Sequence, residues 1–241
     1  MSEMNVLGYD IEIKACVASL KMQPADIRRL LVEGCGGEEE LVAFKPFFRD
    51  ALVIGVDIMD FKGSKRHDVQ LLRTDARQLP FPDGLFDFVY SYHALEHIPH
   101  PELAIAEVAR VLTPTGEFFC GTPNRHRLLG YVGGRATPWE KISWNLHDYA
   151  RRLEGRFHNQ YGAHAGFTRR ELKAILTQRF AVVEDASWTY FVTKYPRYIT
   201  VLDWLYRTRL DEIVLPSVYL HAQMSMPERT RHSTDHQSHI P

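Results

Sequence analysis

The sequence contains little cysteine and no long apolar run. Only Cys16, Cys35 and Cys120 occur among its 241 residues, an odd number without paired spacing. Such usage argues against a disulfide scaffold and indicates a reducing compartment. The amino-terminal stretch has no apolar signal core, and no window approaches the roughly 18 uninterrupted apolar residues of a membrane span. We therefore expect a cytoplasmic protein with no integral membrane segment.

A strong excess of charge of either sign is also absent, because the formal net charge is −1. No global field would recruit nucleic acid or an anionic membrane, so nucleic acid is not an expected partner. The hydrophobic fraction of 45% and the charged fraction of 24% are typical of globular proteins. The length suits one domain, and the composition leaves the oligomeric state open.

The end of the chain, residues 226–241, is polar and rich in histidine, serine and threonine. Because it has no apolar periodicity, we predict a disordered tail. Residues 1–225 are then left for a single folded domain.

The first half of the chain alternates short apolar segments with helical patterns. Strands are predicted at Arg29–Glu33, Leu52–Asp57, Val69–Arg73, residues 86–91 and residues 116–121. Helices are predicted over residues 38–45 and over residues 101–112, the second beginning with a proline. Continuous apolar strands separated by helices indicate a parallel sheet covered on both faces, an α/β fold of the Rossmann type.

The last part of the domain adds further elements. Thr168 and Glu171 form a capping box that opens a helix ending near residue 178. Residues 181–191 and Ser217–Gln223 are predicted strands, separated by a helix over residues 197–209. The many aromatic residues of this region either pack in the core or form a hydrophobic acceptor pocket or a lipid-facing patch.

A glycine-rich turn follows the first strand, at the edge of the sheet where such folds bind ligands. Gly34-Cys35-Gly36 permits the tight turn and the close backbone approach that a nucleotide-type ligand needs. Asp57 ends the next strand, where its carboxylate can accept hydrogen bonds from both ribose hydroxyls. NAD and S-adenosylmethionine fit these two features equally.

Three glutamates, Glu38, Glu39 and Glu40, directly follow the turn and distinguish between the two ligands. They would surround a pyrophosphate with negative charge, whereas S-adenosylmethionine has no phosphate and carries a sulfonium and an ammonium. A dinucleotide fingerprint would also place its third glycine at position 39. Whether the glutamates only cap a helix or also face the ligand, they disfavour NAD.

Residues 29–124 resemble the class I S-adenosylmethionine-dependent methyltransferases, in particular the ubiquinone/menaquinone-type and small-molecule methyltransferase group. The resemblance rests on LVEGCGG (31–37), GVDI (55–58), TDARQLPF (74–81), FDFVYSYHALEHI (86–98), VARVLTPT (108–115) and GTPN (121–124), with a looser match at GFTRRELKAILTQRF (166–180). It implies a Rossmann-like seven-stranded, mostly parallel sheet with helices on both faces and an antiparallel last strand. The shared core would span about residues 25–124, and acceptor and lid elements about residues 125–225.

The resemblance also implies a site for the cofactor S-adenosyl-L-methionine. The glycine loop would pass under the methionine part, Asp57 would hold the ribose, and Ile58 and Met59 would lie against the adenine. Asp75 would accept the exocyclic amine of the adenine, and Ser91 would lie near the reactive methyl. The implied cofactor-binding residues are Glu33, Gly34, Cys35, Gly36, Gly37, Asp57, Ile58, Met59, Asp75, Ala76, Ser91 and Tyr92.

The sequence departs from the family pattern at Glu33, which precedes Gly34 directly instead of one residue earlier. A one-residue shift turns a strand side chain to the other face of the sheet. The carboxylate that meets the cofactor's amine is therefore either Glu33 or, if Glu33 turns away, Glu38.

His93 and His97 are the candidate catalytic residues, because imidazole titrates near neutral pH and can remove a proton from a hydroxyl acceptor. The alternative is a structural role in a short helix below the active-site loop. The stretch HALEH also matches the H-x-x-E-H zinc signature, but Pro99 and Pro101 leave no long helix to hold the two histidines. We expect no metal.

Beyond residue 124 the chain leaves the shared motifs and is expected to supply the acceptor site. Residues 125–166 are polar and irregular but contain spaced aromatic residues, and residues 139–157 have the pattern of an amphipathic helix. This segment is either a mobile lid over the acceptor or a surface helix with its apolar stripe on the sheet.

The leading hypothesis is a methyltransferase that moves a methyl group from S-adenosylmethionine to a small-molecule or glycan-like acceptor, at oxygen. One alternative is a degenerate cofactor-binding module that scaffolds a partner without turnover. The other is an NAD-dependent oxidoreductase.

Overall fold

A computed structural model describes residues 3–61, 68–127, 137–154 and 166–224. Its strands are β1 (Arg29–Glu33), β2 (Leu52–Asp57), β3 (Val69–Arg73), β4 (Phe86–Tyr92), β5 (Leu112–Pro123), β6 (Val182–Asp185) and β7 (Ser217–Gln223). They form one sheet in the order β3-β2-β1-β4-β5-β7-β6. Every pair is parallel except those of β7, which runs antiparallel to β5 and to β6. The predicted fold class is confirmed.

Helices cover both faces of the sheet. They are α1 (Glu3–Val17), α2 (Glu38–Phe44), α3 (Pro101–Val111), α4 (Pro138–Leu153), α5 (Arg169–Leu176), α6 (Ser187–Lys194), α7 (Ile199–Arg207) and α8 (Asp211–Val214). Single 3-10 turns lie at Pro24–Asp26, Leu95–His97 and Pro196–Tyr198. Helices α1, α2, α6 and α7 share one hydrophobic core with the sheet, and α3 and α5 share the other.

Successive side chains of a strand point to opposite faces of the sheet, and this alternation explains the two hydrophobic cores. In β1, Leu30 and Val32 join the core below α1 and α2, while Leu31 joins the core below α3. Both sets of side chains are buried, because a central parallel strand is covered on both faces. The continuous apolar runs that predicted these strands follow from this double burial.

The strand predicted over residues 181–191 is confirmed only over Val182–Asp185, and the rest of the range is not a strand. Strand β6 stops after four residues, because the carboxylate of Asp185 accepts the N–H of Ser187 at 2.8 Å and turns the chain into α6. Helical geometry then stacks the ring of Tyr190 on Tyr219 of β7, with 3.6 Å between the ring centroids. Packing against the sheet thus overrides the strand propensity of this aromatic run.

Other boundaries differ from the predictions by smaller amounts. Strand β5 begins at Leu112, four residues before the predicted start, and α3 ends correspondingly at Val111. The capping box is confirmed: the Thr168 hydroxyl accepts the N–H of Glu171 at 3.1 Å, and the Glu171 carboxylate accepts the N–H of Thr168 at 2.9 Å.

The predicted tail, residues 226–241, lies outside the described residues, as do residues 128–136 and 155–165 of the predicted lid. Helix α4 forms the described part of that lid, and its side chains Trp139 and Leu153 are 76% and 89% exposed. These two side chains do not pack on the sheet, and lid motion stays a prediction. None of the described helices is both long and apolar enough to cross a membrane.

A buried polar cluster ties the segment after α1 to the sheet. The carboxylate of Glu117 accepts the N–H groups of Lys21 and Met22 and lies 2.6 Å from Nε2 of His221. Glu117 and His221 are both almost fully buried. Burial raises the pKa of Glu117, but the bonds from His221 and the two amides outweigh it and hold the pKa below its ordinary value.

We expect Glu117→Gln to destabilise the fold by about 2–4 kcal/mol, because it removes the charge from a buried, fully bonded site. Urea unfolding measures the change. The matched control is Glu184→Gln, which removes an exposed ion pair to Lys21 and should cost less than about 1 kcal/mol. Equal losses in the two variants would contradict the role given to the buried cluster.

Candidate active site

The candidate site lies where the order of the strands reverses, between β1 and β4. The last residue of β1, Glu33, pairs there with Ser91 of β4. A cavity of about 620 Å³ opens above the carboxyl ends of β1 and β2. Ligands of open α/β sheets bind at such a crevice.

The glycine loop forms one wall of the cavity. Gly34 has a φ of +71°, and a Cβ added there would come within 2.3 Å of the Cβ of Ala94. Only glycine allows both this backbone conformation and the close approach to the residues after β4. The loop therefore sits directly against the segment that carries the two candidate histidines.

The carboxylate of Asp57 fixes the shape of the loop. Its Oδ2 accepts the N–H of Gly36 and its Oδ1 accepts the N–H of Met59, both at 3.0 Å. The backbone oxygen of Val56 accepts the N–H of Gly34 at 2.8 Å. These bonds use the amides of the loop within the protein, so the loop does not present the row of free N–H groups that binds a pyrophosphate.

Glu33 brings an almost fully buried carboxylate to the cavity wall. Neither of its oxygens has a well-aligned hydrogen-bond partner among the residues that the structure describes. Burial raises its pKa to about 7, although the neighbouring hydroxyl of Ser91 opposes the rise. A buried carboxylate without a partner needs a donor or a cation, which a ligand can supply.

A second buried carboxylate belongs to Glu40 of α2. Burial and the nearby charge of Asp57 raise its pKa to about 8. Glu38, the predicted alternative to Glu33, is only partly buried and does not line the cavity. Of the glutamates around the loop, Glu33 is thus the one that faces the cavity.

The far end of the cavity is more open. Ile58 and Met59 are 52% and 58% exposed there and offer an apolar surface for a flat ring. Asp75 is held by Arg77, whose Nη2 lies 2.6 Å from its Oδ2. This side-chain bond to Arg77 is the main cause of the lowered pKa of Asp75, which keeps the group an acceptor.

The two histidines flank Ala94, the residue that contacts the glycine loop. His93 has a left-handed backbone with a φ of +54°, and its N–H donates to the backbone oxygen of Gly121 at 2.8 Å. His97 ends the 3-10 turn and donates its N–H to the oxygen of Ala94 at 2.9 Å. Both side chains line the cavity.

The H-x-x-E-H stretch does not adopt the geometry of a zinc helix. His93 precedes a single 3-10 turn and so does not lie one α-helical turn from His97. No group of three or more metal-ligating side chains is found within the described ranges. The absence of a required metal stays a prediction.

The structure gathers most of the predicted site residues around the cavity. Those that line it are Glu33, Gly34, Asp57, Ile58, Met59, Asp75, Ala76, His93 and His97. The predicted residues that are not part of this lining are Cys35, Gly36, Gly37, Ser91 and Tyr92. Tyr92 packs against the hydrophobic core that α1, α2, α6 and α7 share with the sheet, and its ring is stacked between those of Tyr90 and Tyr219.

Sequence reasoning missed some lining residues, which are Val56, Thr74, Arg77, Ala94, Ile98 and Pro99. Arg77 is the most consequential, because its guanidinium pairs with Asp75. Asp75 and Arg77 are two positions apart in the sequence, and this short spacing was the available signal for the ion pair.

The charges around the cavity favour a cationic ligand. Asp75 is paired with Arg77, whereas Glu33 and Asp57 face the cavity without a positively charged partner among the residues that the structure describes. A ligand with an ammonium and a sulfonium suits these groups, and a pyrophosphate does not. The unsatisfied Glu33 and the tight cradle at Gly34 therefore fit S-adenosylmethionine.

Comparison with known proteins finds methyltransferases. The family described as a methyltransferase domain matches residues 31–120. The ubiquinone biosynthesis O-methyltransferase of Dechloromonas aromatica is 27% identical over 183 residues, covering 68% of this chain and 77% of that protein. The demethylmenaquinone methyltransferase of Geobacillus stearothermophilus is 28% identical over 171 residues, covering 65% and 69%.

A solved structure supports the fold. The YcgJ protein from Bacillus subtilis superposes with a TM-score of 0.52 at 17% identity, covering 91% of this chain and all of that one. At this identity the likeness concerns the fold alone.

The raised pKa of Glu33 makes stability depend on pH in a defined direction. The unfolded carboxyl ionises near 4.5 and the folded one near 7, so above pH 7 the fold must hold a buried charge. Without ligand, Glu33→Gln should be more stable than wild type at pH 8, by up to roughly 3 kcal/mol. The difference should vanish as the pH falls to about 4.5.

Thermal or urea unfolding across this range measures the effect. Glu39→Gln, at an exposed position on α2, is the control and should show no such trend. A Glu33→Gln variant less stable than wild type at pH 8 would show that the carboxylate has a stabilising partner.

Proposed function

Because this chain belongs to the class I S-adenosylmethionine-dependent methyltransferases, we propose that it transfers the methyl group to a hydroxyl oxygen of a small aromatic molecule. S-adenosyl-L-methionine is its cofactor. The observation that supports the proposal is the cavity itself, whose lining includes Glu33, Asp57 and His93.

Each part of the cofactor has a group suited to it. Glu33 binds the ammonium, because its buried carboxylate has no well-aligned partner in the described part of the chain. Asp57 binds the ribose with its remaining lone pairs, and Ile58 and Met59 cover the adenine. Asp75 accepts the exocyclic amine of the adenine while Arg77 holds it in place.

Catalysis requires the protein to position the acceptor oxygen and to remove one proton from the acceptor hydroxyl. The bound cofactor supplies a methyl group on a sulfonium, which is an excellent leaving group. The protein then has to hold the acceptor oxygen in line with that methyl and to exclude water. A hydroxyl acceptor must also lose its proton, and His93 on the cavity wall is placed to take it.

The proposed acceptor is a quinone-type aromatic molecule. The names of the two relatives refer to ubiquinone biosynthesis and to demethylmenaquinone, and one is an O-methyltransferase. An aromatic hydroxyl ionises more readily than an aliphatic one, so an imidazole near neutral pH is a sufficient base.

Neither alternative function finds comparable support. An NAD-dependent oxidoreductase would need free loop amides, which Val56 and Asp57 occupy here. A cofactor-binding module without turnover would not need an imidazole facing the cavity.

Cofactor binding is the first test of this proposal. We expect S-adenosylhomocysteine, but not NAD, to raise the melting temperature. A ligand at 100 times its dissociation constant stabilises a protein by about 2.7 kcal/mol.

Asp57→Ala should lower the affinity for S-adenosylhomocysteine tenfold or more, as measured by calorimetry, because it removes charge-assisted bonds to the ribose.

The control is Asp60→Ala, which removes an exposed carboxylate close to the same loop but outside the cavity. Its affinity for S-adenosylhomocysteine should match that of wild type. A shift with NAD alone would overturn the cofactor assignment.

Turnover is the second test. We expect release of S-adenosylhomocysteine with phenol and catechol acceptors of the quinone-precursor type, and mass spectrometry should locate the methyl on oxygen. Acceptors whose hydroxyls are already methylated are the control and should not react. Product methylated on carbon or nitrogen would contradict the proposed oxygen specificity.

A further inference from the structure

A buried carboxylate lies between the two histidines of the cavity wall. Oε1 of Glu96 is 3.1 Å from Nδ1 of His93 and 3.9 Å from Nε2 of His97. The side chain of Glu96 is 1% exposed, whereas those of His93 and His97 are 24% and 37% exposed. The carboxylate therefore acts from behind the histidines and does not itself meet the ligand.

We propose that Glu96 is a positioning residue that makes His93, and not His97, the base of the reaction. The proposal rests on the proposed function, and it assigns a role to a side chain that the cavity does not expose. It depends on the difference between the two distances: 3.1 Å is a hydrogen bond and 3.9 Å is not.

The hydrogen bond selects the tautomer of His93. A carboxylate accepts but does not donate, so the proton of a neutral His93 resides on Nδ1. The lone pair is then on Nε2, which becomes the basic atom of the ring. The same carboxylate stabilises the imidazolium that forms when Nε2 takes a proton.

The backbone prepares this arrangement. The left-handed conformation of His93 is held by its N–H bond to Gly121, and the His93 ring meets the ring of Tyr92 edge-on, with 4.4 Å between centroids. These contacts place the ring but do not determine which nitrogen is protonated. The hydrogen bond to Glu96 determines which nitrogen carries the proton.

Other titratable groups lie near His93 on the neighbouring elements. From β4, Tyr92 is neutral because burial raises its pKa to about 12, and from β5 burial raises the pKa of the Cys120 thiol well above its ordinary value. From β1, Glu33 faces the same cavity, but its role is to bind the ammonium of the cofactor. His97 shares Glu96 at the longer distance.

The test is Glu96→Gln, which keeps the size of the side chain and removes its charge. Since a carboxylate raises the pKa of a neighbouring imidazole, we expect the acid limb of the kcat–pH profile to move to lower pH. We also expect kcat at neutral pH to fall about tenfold or more, with the affinity for S-adenosylhomocysteine unchanged. A merely structural role would alter stability but would leave the acid limb in place.

The matched control is Glu102→Gln. Glu102 pairs with His100 at 3.3 Å in the same way, but both side chains are exposed and lie outside the cavity. This variant should reproduce the wild-type profile. An unchanged profile in Glu96→Gln, or an equal change in both variants, would overturn the proposal.

A measurement without turnover separates this inference from the proposed function. NMR of histidine-labelled protein, with His93 assigned from a His93→Gln variant, should show its proton on Nδ1 and a lower pKa in Glu96→Gln. A proton on Nε2 or an unchanged pKa would overturn the role of Glu96. If the NMR result holds but wild type methylates no hydroxyl acceptor, the proposed function fails and His93 is not a base.

Discussion

The bonds from Asp57 to the glycine loop are the interaction on which the site depends. One carboxylate at the end of β2 accepts N–H groups from Gly36 in the glycine loop and from Met59. This arrangement holds the loop against the residues after β4, where Gly34 leaves no room for a side chain beside Ala94. Glu33, directly before the loop, and His93, directly before Ala94, both line the cavity.

The same region carries an electrostatic cost that a cationic ligand relieves. Burial raises the pKa values of both Glu33 and Glu40, and the nearby negative charge of Asp57 raises the pKa of Glu40 further. A protein that only folded would gain by replacing Glu33 with a neutral side chain. The carboxylate is useful when the ligand brings an ammonium. The protein then loses folding stability at the position where ligand binding requires a negative charge.

Sequence alone predicted the sheet well, because central parallel strands are buried on both faces and therefore apolar throughout. It failed at residues 181–191, where the packing of Tyr190 on Tyr219, far apart in sequence, decides between strand and helix. In the site, the sequence pattern predicted that the glycine turn follows β1 and that Asp57 ends β2, and both have these positions in the structure. The contact of Ala94 with Gly34 was not predictable, since it arises only when β1 and β4 lie side by side. The placement of Tyr92 away from the cavity follows from alternation along β4, a signal present in the sequence.

The central claim is that this cavity binds S-adenosylmethionine with its ammonium on Glu33 and its reactive sulfur facing His93. A crystal structure with S-adenosylhomocysteine tests it most directly. The account predicts the amine within hydrogen-bond distance of Glu33, the ribose on Asp57, and the adenine between Ile58 or Met59 and the segment near Pro99. A ligand bound outside this cavity, or one whose amine lies away from Glu33, would contradict it.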